Sequence, residues 1–187
     1  GQARMDLGQH TTTFYMIDTL VGEHQVFMDE ITNHGWAVGV QTYTVVPAPP
    51  TDVAFTTPVR KLIAGTTSAY DGAADPMLPI QLRDRYGNNS SSTNTVRIQV
   101  QSQTSTLLPS VGEASPDNIQ PYFPIGSPNY IELAFAPGAT LKSFYFRDVS
   151  AGTHTLRAFD PFLVLSSTRQ MVMITPNVAA KFVIVHP

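Results

Sequence analysis

Phe144-Tyr145-Phe146-Arg147-Asp148-Val149-Ser150-Ala151-Gly152-Thr153-His154-Thr155-Leu156-Arg157-Ala158 is the stretch on which the fold turns. Each end alternates apolar and polar side chains, and Ser150-Ala151-Gly152 interrupts the alternation. Successive strand residues point to opposite faces, so Phe144 and Phe146 share one face, as do Leu156 and Ala158. Thr155 and Arg157 take the other face, and Tyr145 opposes the two phenylalanines. The pattern predicts two strands, each with a dry side, joined by a turn where glycine supplies positive φ.

The same alternation recurs in Ile80-Gln81-Leu82-Arg83 and Val96-Arg97-Ile98-Gln99-Val100-Gln101. Met171-Val172-Met173-Ile174 is apolar on both parities, which predicts a strand covered on both sides. Turn residues separate these runs at Tyr70-Asp71-Gly72, Asp84 to Asn89 and Ala136-Pro137-Gly138. Val, Ile and Thr, whose branched β-carbons suit a pleated surface, make up 48 of 187 residues. The helix formers Glu and Lys number 4 and 3, and 15 prolines leave few unbroken helical windows. These observations predict an all-β chain of short strands, a β-sandwich.

Composition also sets limits on chemistry. Cysteine is absent, which excludes disulfides, thiolate nucleophiles and cysteine-ligated metal centres. A net charge of −3 without clustered Lys and Arg argues against a nucleic-acid partner. No apolar run approaches the roughly 18 residues of a membrane-spanning helix.

The chain repeats itself. Phe14-Tyr15-Met16-Ile17-Asp18 matches Phe144 to Asp148, and Gly22-Glu23-His24 matches Gly152-Thr153-His154, both 130 residues apart. Gln41 matches Gln170, Pro47 matches Pro176 and Pro58 matches Pro187, now 129 apart, so one residue is lost in the intervening loop. A period of about 130 residues is one domain. Residues 1–46 are then expected to be the C-terminal part of a preceding repeat. Residues 47–175 make a complete repeat with an insertion at 102–130, and 176–187 form the first strand of a following one. The missing strands would come from further sequence of the same protein or from a neighbouring copy in a fibre.

Ser143 to Ala158 resembles the signature of bacterial tandem immunoglobulin-like repeats of the invasin and filamin type. Ile80 to Asn88 resembles their strand and D-x-Y-G-N turn. Val53 to Pro58 and Ala179 to Ile184 are similar to their opening strand. The resemblance implies immunoglobulin-like β-sandwich repeats in tandem, at the cell surface or outside the cell. It implies a stalk, fibre or surface filament whose partners are neighbouring repeats or copies of itself. It carries no catalytic residues.

Candidate sites are few. His24 and His154 hold equivalent inward positions at strand starts, as a hydrogen-bonded structural histidine would. His10, His34 and His186 have no metal-binding spacing. Asp71 and Asp75 share one loop and Asp84 sits in another, and such loops could converge on calcium, which takes 6–8 oxygen ligands. Turn formation by these Asp residues is the alternative. Within the 102–130 insertion, Tyr122, Phe123 and Tyr130 could stack on sugar rings or anchor a partner, and Trp36 invites the same reading. An adhesive or carbohydrate-binding module, with glycans as ligands, is therefore the alternative to the structural role. No G-x-S-x-G elbow, phosphate loop or defined carboxylate pair nominates an enzyme mechanism.

Overall fold

A computed structural model of the chain describes residues 2–32, 34–66, 77–102 and 130–178, and the backbone of 110–112. It divides into two units, Gly1–Val46 and Pro47–Pro187. Among the described residues there is no helix.

Unit 1 holds one antiparallel hairpin, β1 (Gly22–Met28) and β2 (Gly39–Val45), with Gly22 opposite Val45 and His24 opposite Tyr43. Unit 2 holds β3 (Asp52–Phe55), β4 (Arg60–Ile63), β5 (Leu78–Arg83), β6 (Val96–Ser102), β7 (Ser110–Gly112), β8 (Ile131–Phe135), β9 (Leu141–Arg147), β10 (Gly152–Phe159) and β11 (Thr168–Thr175). These build a five-stranded sheet in the order β4-β11-β10-β6-β8 and a four-stranded sheet in the order β3-β5-β9-β7. Among these strands the pairings are antiparallel except β11 with β4, and an isolated parallel bridge joins Asp52 to Ser166. The fold of unit 2 is an immunoglobulin-like β-sandwich.

The core follows from the alternation. Ile80 and Leu82 of β5 and Phe144 and Phe146 of β9 are buried from one sheet. Ile98 and Val100 of β6, Leu156 and Ala158 of β10, and Val172 and Ile174 of β11 are buried from the other. Their intervening residues face outward, so one parity per strand supplies the apolar area whose removal from water stabilises the sandwich. β11 departs from its expected burial on both faces: Val172 and Ile174 are buried while Met171 and Met173 are exposed. Among the described residues a sheet packs against one face of the strand, and the other face carries exposed, flexible methionines.

The chain changes sheets between β3 and β4. Gln170, on β11, pins that crossover: its Nε2 donates to the Pro58 carbonyl at 2.7 Å and to Thr57 Oγ1 at 3.3 Å. Pro58 has no N–H to lose from a ladder, which suits a residue placed where pairing switches.

Candidate functional site

The repeated Asp, Gly and His form the same local structure twice. In unit 2, Asp148 Oδ1 accepts the Ser150 N–H at 2.8 Å, and His154 Nε2 donates to the Ser150 carbonyl at 2.8 Å. In unit 1, Asp18 Oδ1 accepts the Leu20 N–H at 3.0 Å, and His24 Nε2 donates to the Leu20 carbonyl at 2.8 Å. The second carboxylate oxygen lies 3.5 Å from His154 Nδ1 and 3.7 Å from His24 Nδ1. The glycine between carbonyl and histidine has φ of 141° at Gly152 and 143° at Gly22, a region that L side chains avoid. This Asp–Gly–His clasp folds the turn onto the strand that follows it.

The hairpins after the clasps also correspond. Gly152 pairs with Ile174 as Gly22 pairs with Val45, so the 130-to-129 step of the sequence repeat is the register of the two hairpins. Burial differs sharply: Phe144 and Phe146 are 0% and 1% exposed, but their counterparts Phe14 and Met16 are 43% and 46% exposed. Asp18 is held below its ordinary value, foremost by the Leu20 N–H, then by the Tyr43 hydroxyl, which donates at 2.8 Å. That carboxylate in turn pushes the Tyr43 phenol up.

Each hairpin tip is tied by a carboxylate. Asp160 accepts the N–H groups of Phe162 at 2.9 Å, Val164 at 3.0 Å and Leu165 at 3.2 Å. Glu30 accepts those of Gly35 and, at 3.1 Å, Trp36. The tied loop of unit 2 presents Phe162, Leu163 and Val164 at 76%, 79% and 77% exposure. Leu163 has φ of 58°, the one non-glycine residue at positive φ among those described. A side chain there costs about 1–2 kcal/mol. Leu163→Gly should therefore stabilise unit 2 by about 0.5–1 kcal/mol, the gain reduced by the greater freedom of glycine when unfolded. Urea titration checks this, and a loss of stability would mean that the exposed leucine side chain holds the loop.

Of the residues expected to bind ligands, Trp36, Tyr130 and Asp84 are among those described. Trp36 is exposed and stacks on His34, ring centroids 5.8 Å apart. Tyr130 is half-buried just before β8. Tyr122, Phe123, Asp71 and Asp75 lie outside the described residues. Asp84 is buried, and both its oxygens accept N–H groups. Oδ1 takes Tyr86 and Asn88 amides, each at 2.9 Å, and Oδ2 takes Ala48 at 3.1 Å and the Asn88 side-chain amide at 3.0 Å. Gly87, at φ 86°, completes this turn. Among the described residues no three His, Asp or Glu side chains are grouped as metal ligands.

Burial pushes the Asp84 carboxyl up, but the donors from Asn88, Tyr86 and Ala48 together outweigh it and hold the group below its ordinary 3.8. A carboxyl with a lowered folded-state value stabilises the fold above the ordinary value and loses that contribution as pH falls through the lowered one. Melting temperature should accordingly drop on acidification below about pH 4, and Asp84→Asn should flatten that fall. Parallel acid profiles for the two proteins would exclude Asp84 as a source of the dependence.

One open groove of about 380 Å³ runs beside the crossover, lined by residues including Thr57, Pro58, Thr155, Arg169, Gln170 and Met171. Among the described residues that line it there is neither carboxylate nor imidazole, the usual side chains for acid–base chemistry.

No family model matches the chain, and no curated protein matches it. Solved structures do. Domains 4 and 5 of the S-layer protein SbsC align with a TM-score of 0.41 and 14% identity, over 83% of this chain and 58% of that one. A β-glucuronidase of glycoside hydrolase family 2 aligns with a TM-score of 0.47 and 14% identity, over 84% of this chain and 14% of that one. A family 2 member from Bacteroides cellulosilyticus aligns with a TM-score of 0.45 and 14% identity, over 82% and 18%. The chain thus spans little more than half of the S-layer structure and less than a fifth of either hydrolase.

Proposed function

We propose that the chain is a non-catalytic structural segment of an extracellular bacterial repeat protein, in which immunoglobulin-like modules follow one another as a stalk, fibre or surface filament. The observation that supports this is the recurrence, 130 residues apart, of the same clasp leading into a hairpin of the same register. On this reading residues 1–46 are the last strands of one module, 47–175 a complete module and 176–187 the opening of a third. The exposure of Phe14 and Met16 fits a module represented only by its final strands. Negative-stain imaging of the protein at the length its cells produce tests the reading. Regular beads along a fibre are expected, and isolated compact particles would overturn it.

A second reading, an adhesive or carbohydrate-binding module, draws on Trp36. Its indole is exposed, backed by His34, and its loop is tied by Glu30, the arrangement of a stacking platform. Glycan-array binding lost in Trp36→Ala would favour it.

A further inference from the structure

The segment Pro47-Ala48-Pro49-Pro50 contains one backbone N–H, that of Ala48, because proline has none. Its partner lies 36 residues on: the N–H donates to Asp84 Oδ2 at 3.1 Å. The Ala48 carbonyl is taken as well, accepting from Ser90 Oγ at 2.5 Å across 42 residues. Immediately after the prolines, Thr51 N–H donates to the Arg83 carbonyl at 2.8 Å. Asp84 and Ser90 flank the D-x-Y-G-N turn, which is braced from within by the Gly87 N–H on the Asp84 carbonyl and the Asp84 N–H on the Asn88 carbonyl. Both hydrogen-bonding groups of Ala48 are therefore held by one turn of unit 2. The prolines on either side fix φ, and Pro49 restricts Ala48 to extended backbone.

We propose that the Asp84–Ser90 turn is a socket for the chain entering unit 2. It seats Ala48 and sets the direction of the chain where it enters unit 2. The inference deepens the modular reading and rests on taking residues 45–50 as a junction between modules. It gives the D-x-Y-G-N turn a mechanical task beyond reversing the chain. The turn's buried carboxylate is shared between its own amides and the incoming segment.

Residue-resolved amide exchange of the full 187-residue chain tests it. The Ala48 amide should exchange at least about tenfold more slowly than that of Val46, as a hydrogen bond to a buried carboxylate requires. In Asp84→Asn, the remaining Oδ1 can still accept the Tyr86 and Asn88 amides while an NH₂ group faces Ala48. Exchange at Ala48 should then accelerate about tenfold or more, with Ile80 and Leu82 unchanged. Ser90→Ala removes only the carbonyl's partner and should speed proteolysis within residues 45–51. Should Asp84→Asn fail to fold, the wild-type exchange rate and Ser90→Ala still decide. An Ala48 amide as labile as Val46 in the wild type, or a Ser90→Ala chain cut no faster, overturns the socket. A protected Ala48 in a protein imaged as isolated particles would retain the socket and remove the array.

Discussion

Replacing Phe144 with alanine is expected to cost unit 2 about 3–5 kcal/mol, whereas Phe14→Ala, at the same position of the repeat, should cost under about 1 kcal/mol. Phe144 is fully buried on β9, a strand paired on both sides, and its ring sits 6.3 Å from that of Phe55. Removing it takes away transfer free energy and leaves a cavity between two sheets that can close only partly. Phe14 is 43% exposed and lies outside any strand, so little is lost with it. Urea melts followed by far-ultraviolet circular dichroism measure both costs. Trp36, the chain's single tryptophan, reports unit 1 separately by fluorescence. Equal costs would mean that residues 1–46 close a core of their own. The pair also tests the modular reading, because in a protein that completes the first module the cost of Phe14→Ala should climb toward that of Phe144→Ala.

That contrast shows what the sequence could disclose and what it could not. Alternation placed Ile80, Leu82, Ile98, Val100, Phe144, Phe146, Leu156 and Ala158 on buried faces, because strand period is a local property. The repeat foreshadowed the equivalence of His24 and His154, since matching glycines and histidines imply matching turns. Met171 and Met173 misled for a physical reason: apolar character does not distinguish a second buried face from an exposed one. Phe162-Leu163-Val164 is apolar as well, yet Asp160 ties the backbone of its loop and all three side chains are exposed. The local half of the Asp84 site was legible, as an Asp and an Asn around a glycine. Its bond to Ala48 was not, because it joins segments whose proximity only the folded sandwich creates. The same holds for Gln170, which reaches Pro58 across 112 residues. Its match with Gln41 marked it as repeated but gave no partner.

Asp148→Ala should destabilise unit 2 by about 2–4 kcal/mol, the second large effect. The Asp148 side chain is fully buried and that of His154 is 7% exposed. Three groups lean on the carboxylate or on what it holds: the Ser150 N–H, the Ser150 carbonyl, and the imidazole that bonds it. Because a carbonyl accepts the Nε2 proton, the histidine is fixed in orientation, with Nδ1 buried and facing Asp148 without a hydrogen bond. Alanine would strand the Ser150 amide and leave Nδ1 facing an apolar void, and buried polar groups without partners are costly. Asp148→Asn should cost less. Its amide oxygen still accepts from Ser150, and its NH₂ can donate to Nδ1. The counterpart Asp18→Ala should cost less than Asp148→Ala, because water reaches that clasp. Denaturant midpoints for the three variants check the order. If Asp148→Asn proves as damaging as Asp148→Ala, the carboxylate's charge rather than its hydrogen-bonding geometry holds the clasp shut.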